Sequence, residues 1–302
     1  MNEKTILITG ANGFTGRHAC CFFSEKGYKV VGLVRNYSDK ESSINYQEFE
    51  CDLSDERAIE EVVTIVQPDY VLHAAGKNDV KESWENPREY VKVNVLATVY
   101  LLEAIRKLNK KVRVLVIGSA LEYNPQNSPN HPYGLTKTFQ SLIAKSWKNL
   151  FQLPVIIAKP TNLIGPGPSK GFCALLAQKI SGLEKGNKVE LIKVDDPNQR
   201  RDFLNIRDAI SAYEKLLLHG EIGEVYPIGT GDYRTLTEVI NTYQELTDLP
   251  VPVQYGKRFT QKSGRPVTNE MDLSKMNELN WHPKHNFRES LEEILTYYRN
   301  KE

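Results

Sequence analysis

The chain has 302 residues, with 39 Lys and Arg against 38 Asp and Glu, which gives a formal net charge of +1. This balance provides no global field that would recruit nucleic acid or an anionic membrane, so an anionic ligand has to meet local Arg and Lys side chains. The apolar runs are shorter than a membrane span, no hydrophobic leader precedes the first strand, and the cysteines show no C-x-x-C spacing. We therefore expect a cytoplasmic protein with reduced thiols. We expect it to bind no nucleic acid, no membrane and no metal ion.

Short apolar strands alternate with amphipathic helices over the first 160 residues, which predicts an α/β fold with a doubly wound parallel sheet. The strands are near-continuous Val/Ile/Leu runs, as expected when helices cover both faces of the sheet. The predicted strands are Thr5–Thr9, Lys29–Val34, Tyr70–Ala74, Arg113–Gly118 and Val155–Lys159. The predicted helices are Thr15–Lys26, Glu56–Gln67, Arg88–Leu108 and Tyr133–Leu150.

The first strand leads directly into Thr9–Gly16, whose glycines follow the spacing G-x-x-G-x-x-G and which opens the first helix. Glycines let the backbone turn tightly and approach a pyrophosphate, whose charge then lies at the helix N-terminus. This context predicts a Rossmann dinucleotide site. The expected cofactor-binding residues of the loop are Gly10, Asn12, Gly13, Phe14, Thr15 and Gly16.

The second strand is followed by Arg35, at a position where a site for NAD would carry an acid. Arginine suits a 2′-phosphate, which favours NADP. Asp39 is close in sequence, so NAD also remains possible.

Tyr133 and Lys137 lie four residues apart, on one face of a predicted helix. A cation beside a phenol stabilises the phenolate and makes the phenol a usable proton donor and acceptor. The spacing Y-x-x-x-K is common by chance, but here Ser119 precedes it at the carboxyl edge of the sheet, where such sheets bind ligands. The joint order of glycine loop, Ser119, Tyr133 and Lys137 predicts a catalytic set.

The regular alternation of apolar strands and amphipathic helices ends after Lys159. A Gly/Pro cluster, Asn162–Gly167, then precedes short elements of mixed type. We expect helices at Phe172–Leu183 and Arg288–Arg299. The predicted domains are an NADP-binding domain at 1–161, to which 203–230 return, and a smaller substrate-binding lobe at 162–302.

These motifs together resemble those of the extended short-chain dehydrogenase/reductase family of nucleotide-sugar epimerases, dehydratases and reductases. The likeness covers essentially the whole chain. The segments that carry it are Thr9–Gly16, Cys51–Leu53, His73–Ala75, Asn94, Ser119, Tyr133 with Lys137, Asn162–Gly167, Arg200–Phe203 with Asp208, and Gly264–Pro266 through Asp272, Ser274, Lys275 and Trp281. The resemblance implies further cofactor contacts from Asp52, Leu53, Ala74, Ala75 and Gly76. It implies a nucleotide-sugar site formed by Asn78, Ser119, Asn162, Arg201 and Arg265, of which the arginines suit a diphosphate.

Within the family, the chain is most similar to reductases of GDP-4-keto-6-deoxy-mannose. The likeness is carried by Val80–Pro87, Ile117–Ser119, Gln178–Gly186 and Asn198–Phe203. Dehydratases of the family need an acid just after the serine, where this chain has Ala120 and Leu121, so we do not expect dehydration. Glu122 stands where the family usually has an apolar residue, and we expect it to be structural.

The expected reaction is the NADPH-dependent reduction of the C4 keto group of a nucleotide-linked 4-keto-6-deoxy sugar. Tyr133 would donate the proton, Lys137 would hold the nicotinamide ribose, and Ser119 would bind the keto oxygen. The same three residues with tightly bound NAD would serve a 4-epimerase. A non-catalytic protein that binds NADP or a sugar nucleotide is a further alternative.

The family resemblance also implies a homodimer, in which the helices Arg88–Leu108 and Tyr133–Leu150 form a four-helix bundle. Both helices carry more apolar residues than one stripe requires. These residues include Tyr100, Leu101, Leu102, Phe139, Leu142, Ile143 and Trp147.

Overall fold

The computed structural model describes residues 3–37, 46–256 and 270–301. The chain divides into two compact units. The first unit comprises Met1–Pro160, Ile210–Pro227 and Glu278–Trp281, and the second comprises Thr161–Ala209, Ile228–Asn277 and His282–Glu302.

The strands and helices of the described residues follow in chain order. The strands are β1 Thr5–Thr9, β2 Lys29–Val34, β3 Gln47–Glu50, β4 Tyr70–His73, β5 Arg113–Ile117, β6 Val155–Pro160, β7 Asn162–Ile164, β8 Ile192–Val194, β9 Arg200–Asn205, β10 Val225–Ile228, β11 Tyr233–Thr235 and β12 Val253–Tyr255. The helices are α1 Phe14–Glu25, α2 Glu56–Val66, α3 Val80–Glu85, α4 Pro87–Tyr90, α5 Ala97–Arg106, α6 Pro132–Phe151, α7 Phe172–Glu184, α8 Ile206–His219, α9 Leu236–Gln244, α10 Ser274–Glu278 and α11 Phe287–Arg299, with a π-helix at Val91–Leu96.

A sheet with the strand order β3-β2-β1-β4-β5-β6-β10 organises the first unit. Strands β1 to β6 pair in parallel, and the order 3-2-1-4-5-6 confirms the predicted Rossmann fold. Ile6, Leu7 and Ile8 of β1 are fully buried. Burial of each such side chain contributes roughly 1.5–3 kcal/mol. Because Thr9 of β1 pairs with His73 of β4, the loops that follow these strands meet at one edge of the sheet.

The predicted continuous helix Arg88–Leu108 is wrong in detail. The structure has α4, the π-helix and α5 in succession over this stretch, with the separate helix α3 before them. The sequence did not predict the π-helix, because the one extra residue in a π turn leaves the spacing of apolar residues on either side nearly unchanged.

The side chain of Asn94 lies at the centre of the π-helix and is fully buried. Its carboxamide accepts a hydrogen bond from the Lys77 backbone N–H at 2.8 Å, and donates to the Lys77 carbonyl and to Thr136 Oγ1, both at 3.0 Å. These bonds tie the π-helix to the loop after β4 and to α6.

Helix α6 has 20 residues. Among the residues described, no helix is apolar and long enough to cross a membrane. On the outer side of α6, Phe139 and Leu142 are 41% and 43% exposed. Leu101 and Leu102 on α5 are instead fully buried in the core of the first unit, so they do not add to an exposed apolar surface on this helix.

The second unit contains the sheets β11-β9-β7 and β12-β8. Helices α7, α9 and α11 contribute most of its apolar core. Asp202 on β9 is buried and accepts hydrogen bonds from the backbone N–H groups of Thr230 and Gly231, at 2.8 and 2.9 Å. Asp208 accepts from the backbone and ring of His285, at 3.0 and 2.8 Å. Both acids therefore serve the structure of this unit.

Candidate active site

The glycine loop requires glycine at two of its positions. Gly10 has a φ of +69°, and a Cβ there would lie 2.8 Å from Ala75 Cα. A Cβ at Gly16 would lie 2.1 Å from the carbonyl oxygen of Gly10. Because Gly16 has no side chain, the start of α1 can approach the end of β1 closely.

Helix α1 begins after Gly13, and no side chain of the described residues caps it. Its first-turn N–H groups therefore have no capping side chain, and the helix dipole favours negative charge there. A Cβ on Gly13 would lie 3.1 Å from the carbonyl oxygen of Gly10. This uncapped, glycine-lined helix start fits the pyrophosphate of a dinucleotide.

Three residues predicted to bind the cofactor follow the ends of β2 and β3, namely Arg35, Asp52 and Leu53. Asn12 Nδ2 donates to the Asn36 carbonyl at 2.8 Å, which ties the glycine loop to the end of β2. Arg35 is exposed at this end, whereas Asp39 lies outside the described residues. The Asp52 carboxylate accepts from the backbone and hydroxyl of Ser54, and these bonds lower the pKa of Asp52.

The remaining predicted cofactor contacts line the same edge of the sheet. Ala74 and Ala75 are partly exposed and Gly76 is exposed, directly after β4, and Leu53 is partly exposed after β3. The backbone N–H of Ala75 donates to Thr9 Oγ1 at 3.1 Å.

Tyr133 lies in the first turn of α6 and is only 7% exposed. Its ring packs edge-on against Tyr90 and stacks on His131, with ring centroids 6.4 and 5.9 Å apart. Burial raises the pKa of Tyr133 to about 12, and a hydrogen bond with Ser119 opposes this shift. The phenol therefore carries its proton at neutral pH.

Sequence reasoning did not identify His131. Its Nδ1 accepts from the Gly134 backbone N–H at 2.8 Å and so caps α6, while its ring covers Tyr133. Histidine is an uncommon N-cap residue, and the local sequence gave no signal for this role.

Lys137 is buried one turn after Tyr133. Its Nζ donates to the Ile117 carbonyl and to Gln140 Oε1, both at 2.5 Å. Burial lowers the pKa of Lys137 to about 8, and the charge of Glu122 opposes this shift.

A chain of buried polar side chains continues from Gln140 through the first unit. Gln140 Nε2 lies 3.0 Å from Thr98 Oγ1, and Thr98 donates its own proton to the Asn94 carbonyl. Thr98 must therefore also accept from His73 Nε2 at 2.9 Å, and His73 Nδ1 accepts from Thr9 Oγ1 at 2.8 Å. Burial lowers the pKa of His73 to about 3, so this ring is neutral. The buried polar chain links the Lys137 ammonium to the start of the glycine loop.

Ser119 is 8% exposed at the end of β5. Its Oγ accepts from the Leu121 backbone N–H at 3.1 Å, and its own N–H donates to Glu122 Oε1 at 2.9 Å. The structure thus places Ser119, Tyr133 and Lys137 together at the carboxyl edge of the sheet.

The predicted substrate residues are distributed over the two units. Asn78 is exposed in the first unit. In the second unit, Asn162 Nδ2 donates to the Asp202 carbonyl at 2.9 Å, and Arg201 Nη2 donates to Gln199 Oε1 at 2.7 Å. Burial lowers the pKa of Arg201. Arg265 lies outside the described residues.

The model of the NAD dependent epimerase/dehydratase family matches residues 6–229. The chain is 24% identical to GDP-6-deoxy-D-mannose reductase of Pseudomonas aeruginosa, over 99% of this chain and 98% of that protein. A solved structure of RMD from Pseudomonas aeruginosa complexed with NADPH has a TM-score of 0.80 at 24% identity, with 98% of both chains covered. UDP-glucose 4-epimerase from Thermotoga maritima with UDP-glucose has a TM-score of 0.84 at 23% identity, again with 98% of both chains covered. The likeness to these structures shows a shared fold.

Proposed function

We propose, because the chain belongs to the NAD-dependent epimerase/dehydratase family, that it is an NADPH-dependent reductase of a nucleotide-linked 4-keto-6-deoxy sugar. Ser119, Tyr133 and Lys137 are its catalytic residues in this proposal. The similarity to GDP-6-deoxy-D-mannose reductase over nearly the full length of both chains supports this choice of substrate class.

The arrangement of Tyr133, with a hydrogen bond to Ser119 and the buried Lys137 one turn further along α6, is the observation that supports the proposal. Reduction of a ketone requires a proton donor at the oxygen that becomes a hydroxyl, and a phenol with a raised pKa retains its proton until then. Ser119 Oγ orients the same oxygen. The ammonium of Lys137 lies one turn away and stabilises the phenolate that the transfer leaves behind.

The absence of a free acid after Ser119 argues against dehydration. Ala120 and Leu121 cannot move a proton, and both carboxylate oxygens of Glu122 are already engaged, by Ser119 and Ser141 on one and by Lys159 on the other. Glu122 is therefore unavailable to remove a proton from the sugar.

The cofactor proposal is NADP, with NAD possible. When bound, NADPH supplies the hydride that reduces C4. The uncapped start of α1 binds the pyrophosphate, Arg35 binds the 2′-phosphate, and Lys137 binds the nicotinamide ribose. Asp52, Leu53 and the segment Ala74–Gly76 complete the cofactor contacts.

The substrate proposal assigns the diphosphate to Arg201 and Arg265, and polar contacts to Asn78 and Asn162. Among the described residues, Arg201 donates a hydrogen bond to the uncharged side chain of Gln199. Its positive charge can therefore pair with a phosphate. We also propose that the chain forms homodimers through the exposed apolar side chains of α6.

The test is a stoichiometric turnover assay with NADPH and GDP-4-keto-6-deoxy-mannose. We expect one NADPH to be oxidised for each alcohol formed, as followed by NADPH absorbance and product chromatography. An epimerase would instead interconvert sugars with no net change in cofactor. Steady conversion of UDP-glucose without added cofactor, and no reduction of the keto sugar, would contradict the proposal.

A further inference from the structure

Glu122 carries a buried carboxylate beside the proposed catalytic residues. Its side chain is 4% exposed and forms an ion pair with Lys159 Nζ at 2.7 Å. The other oxygen, Oε1, accepts from the Ser119 backbone N–H and from Ser141 Oγ, both at 2.9 Å. A buried carboxylate is tolerated only when it is paired and hydrogen-bonded in this way.

The carboxylate is packed directly against the end of β5. A Cβ on Gly118 would lie 2.3 Å from Glu122 Oε1, so glycine is needed there for the carboxylate to reach the backbone. The bond to the N–H of Ser119 then fixes the residue whose hydroxyl faces Tyr133. Charge-assisted bonds of this kind are about twice as strong as neutral ones.

The charge of Glu122 also acts on α6. It raises the pKa of both Tyr133 and Lys137. For Lys137, burial lowers the pKa by more than the charge of Glu122 raises it. His73 also faces Lys137, and this ring is neutral.

The other titratable rings that face Tyr133 carry no charge of comparable effect. They are Tyr90, His131 and Tyr213. Among the residues that the structure describes, Glu122 is therefore the acid whose charge acts on Lys137, and Lys159 on β6 forms an ion pair with it.

We infer that Glu122 is a positioning residue of this site: it anchors Ser119 through the backbone and, together with Lys159, sets the charge around Tyr133 and Lys137. The part that concerns catalysis rests on the proposed function. No reacting atom is assigned to Glu122, because both of its oxygens are engaged.

Two variants of the ion pair test the inference, because they change the local charge in opposite directions. Glu122→Gln removes a negative charge, so it lowers the pKa of Lys137 and moves the loss of activity at high pH to lower pH. Lys159→Gln removes a positive charge and moves this limb to higher pH. We expect shifts of about 0.5 pH unit or more in each direction. Turnover of Glu122→Gln should also fall roughly tenfold, because the bond to Ser119 loses its charge.

The control is Glu60→Gln, which breaks the exposed ion pair between Glu60 and Lys107. This variant should keep the pH profile of the unmodified protein, since exposed pairs are well screened. A general structural defect would move the two buried-pair variants in the same direction. Same-direction shifts, or none, overturn the inference.

A direct titration separates this inference from the proposed function. The lysine side chains are labelled with ¹³C at Cε, the Lys137 signal is assigned with Lys137→Met, and its pKa is read by NMR without turnover. Opposite pKa shifts in Glu122→Gln and Lys159→Gln support the inference even if no keto sugar is reduced, in which case only the proposed function fails. An unchanged Lys137 pKa in both variants overturns the inference.

Discussion

Replacement of Tyr133 by Phe removes one hydroxyl and leaves the aromatic ring in place. The ring keeps its packing against Tyr90 and His131, and the lost contact is the hydrogen bond with Ser119. Loss of one neutral hydrogen bond costs about 1 kcal/mol of the free energy of unfolding. Loss of a positioned proton donor lowers turnover by about 10²–10⁴-fold, or roughly 3–5.5 kcal/mol of transition-state stabilisation. The catalytic effect therefore exceeds the effect on stability.

Single-turnover oxidation of NADPH in the presence of the keto sugar measures the first effect, and NADPH binding followed by fluorescence should remain near normal. Tyr243→Phe is the matched control, because Tyr243 is also buried and its hydroxyl donates to the Cys173 carbonyl in the second unit, at 3.0 Å. This control should lose a similar amount of stability and keep its turnover. Near-normal turnover of Tyr133→Phe would refute the assignment of Tyr133 as proton donor.

Three further predictions concern the cofactor, the pH dependence and the assembly. Arg35→Asp should weaken NADPH binding by about ten- to hundredfold in titrations and leave NADH binding nearly unchanged; equal losses would exclude a 2′-phosphate contact. NADPH binding and turnover should decline as the pH rises through about 8, because Lys137 loses its proton there; a profile that stays flat well above this pH would count against its role. The chain should be a dimer in light scattering at micromolar concentration, and Phe139→Asp should give monomers; a monomeric unmodified chain would contradict the interface.

The sequence was sufficient to predict the Rossmann sheet, because parallel strands buried on both faces produce apolar runs with few polar interruptions. It also predicted that Ser119, Tyr133 and Lys137 lie together. Their positions follow from strand ends and helical spacing, both of which are local features. The roles of these residues and the division into functional domains stay predictions.

The details that the sequence did not predict depend on contacts between distant residues. The π-helix follows from where the buried Asn94 side chain finds partners, 17 and 42 residues away. Strand β3 is short, polar and at an edge of the sheet, so it has no apolar signature. The ion pair of Glu122 with Lys159 joins a loop to a strand, and neither residue has a pattern that specifies the other. The sequence did indicate that Glu122 is structural, but not that its carboxylate binds the backbone of Ser119.

The buried polar chain from Lys137 through Gln140, Thr98 and His73 to Thr9 has a consequence for local opening of the first unit. Thr98 on α5 bonds both to Gln140 on α6 and to His73 on β4. An opening of α5 would therefore leave polar groups of α6 and β4 without a partner in the apolar core. Fluctuations that detach α5 therefore remove one partner each from Gln140, which binds the Lys137 ammonium, and from His73, which binds Thr9 at the start of the glycine loop. Amide protons of α5, the first turns of α6 and the end of β1 should consequently exchange with solvent through one shared opening, as a single cooperative unit.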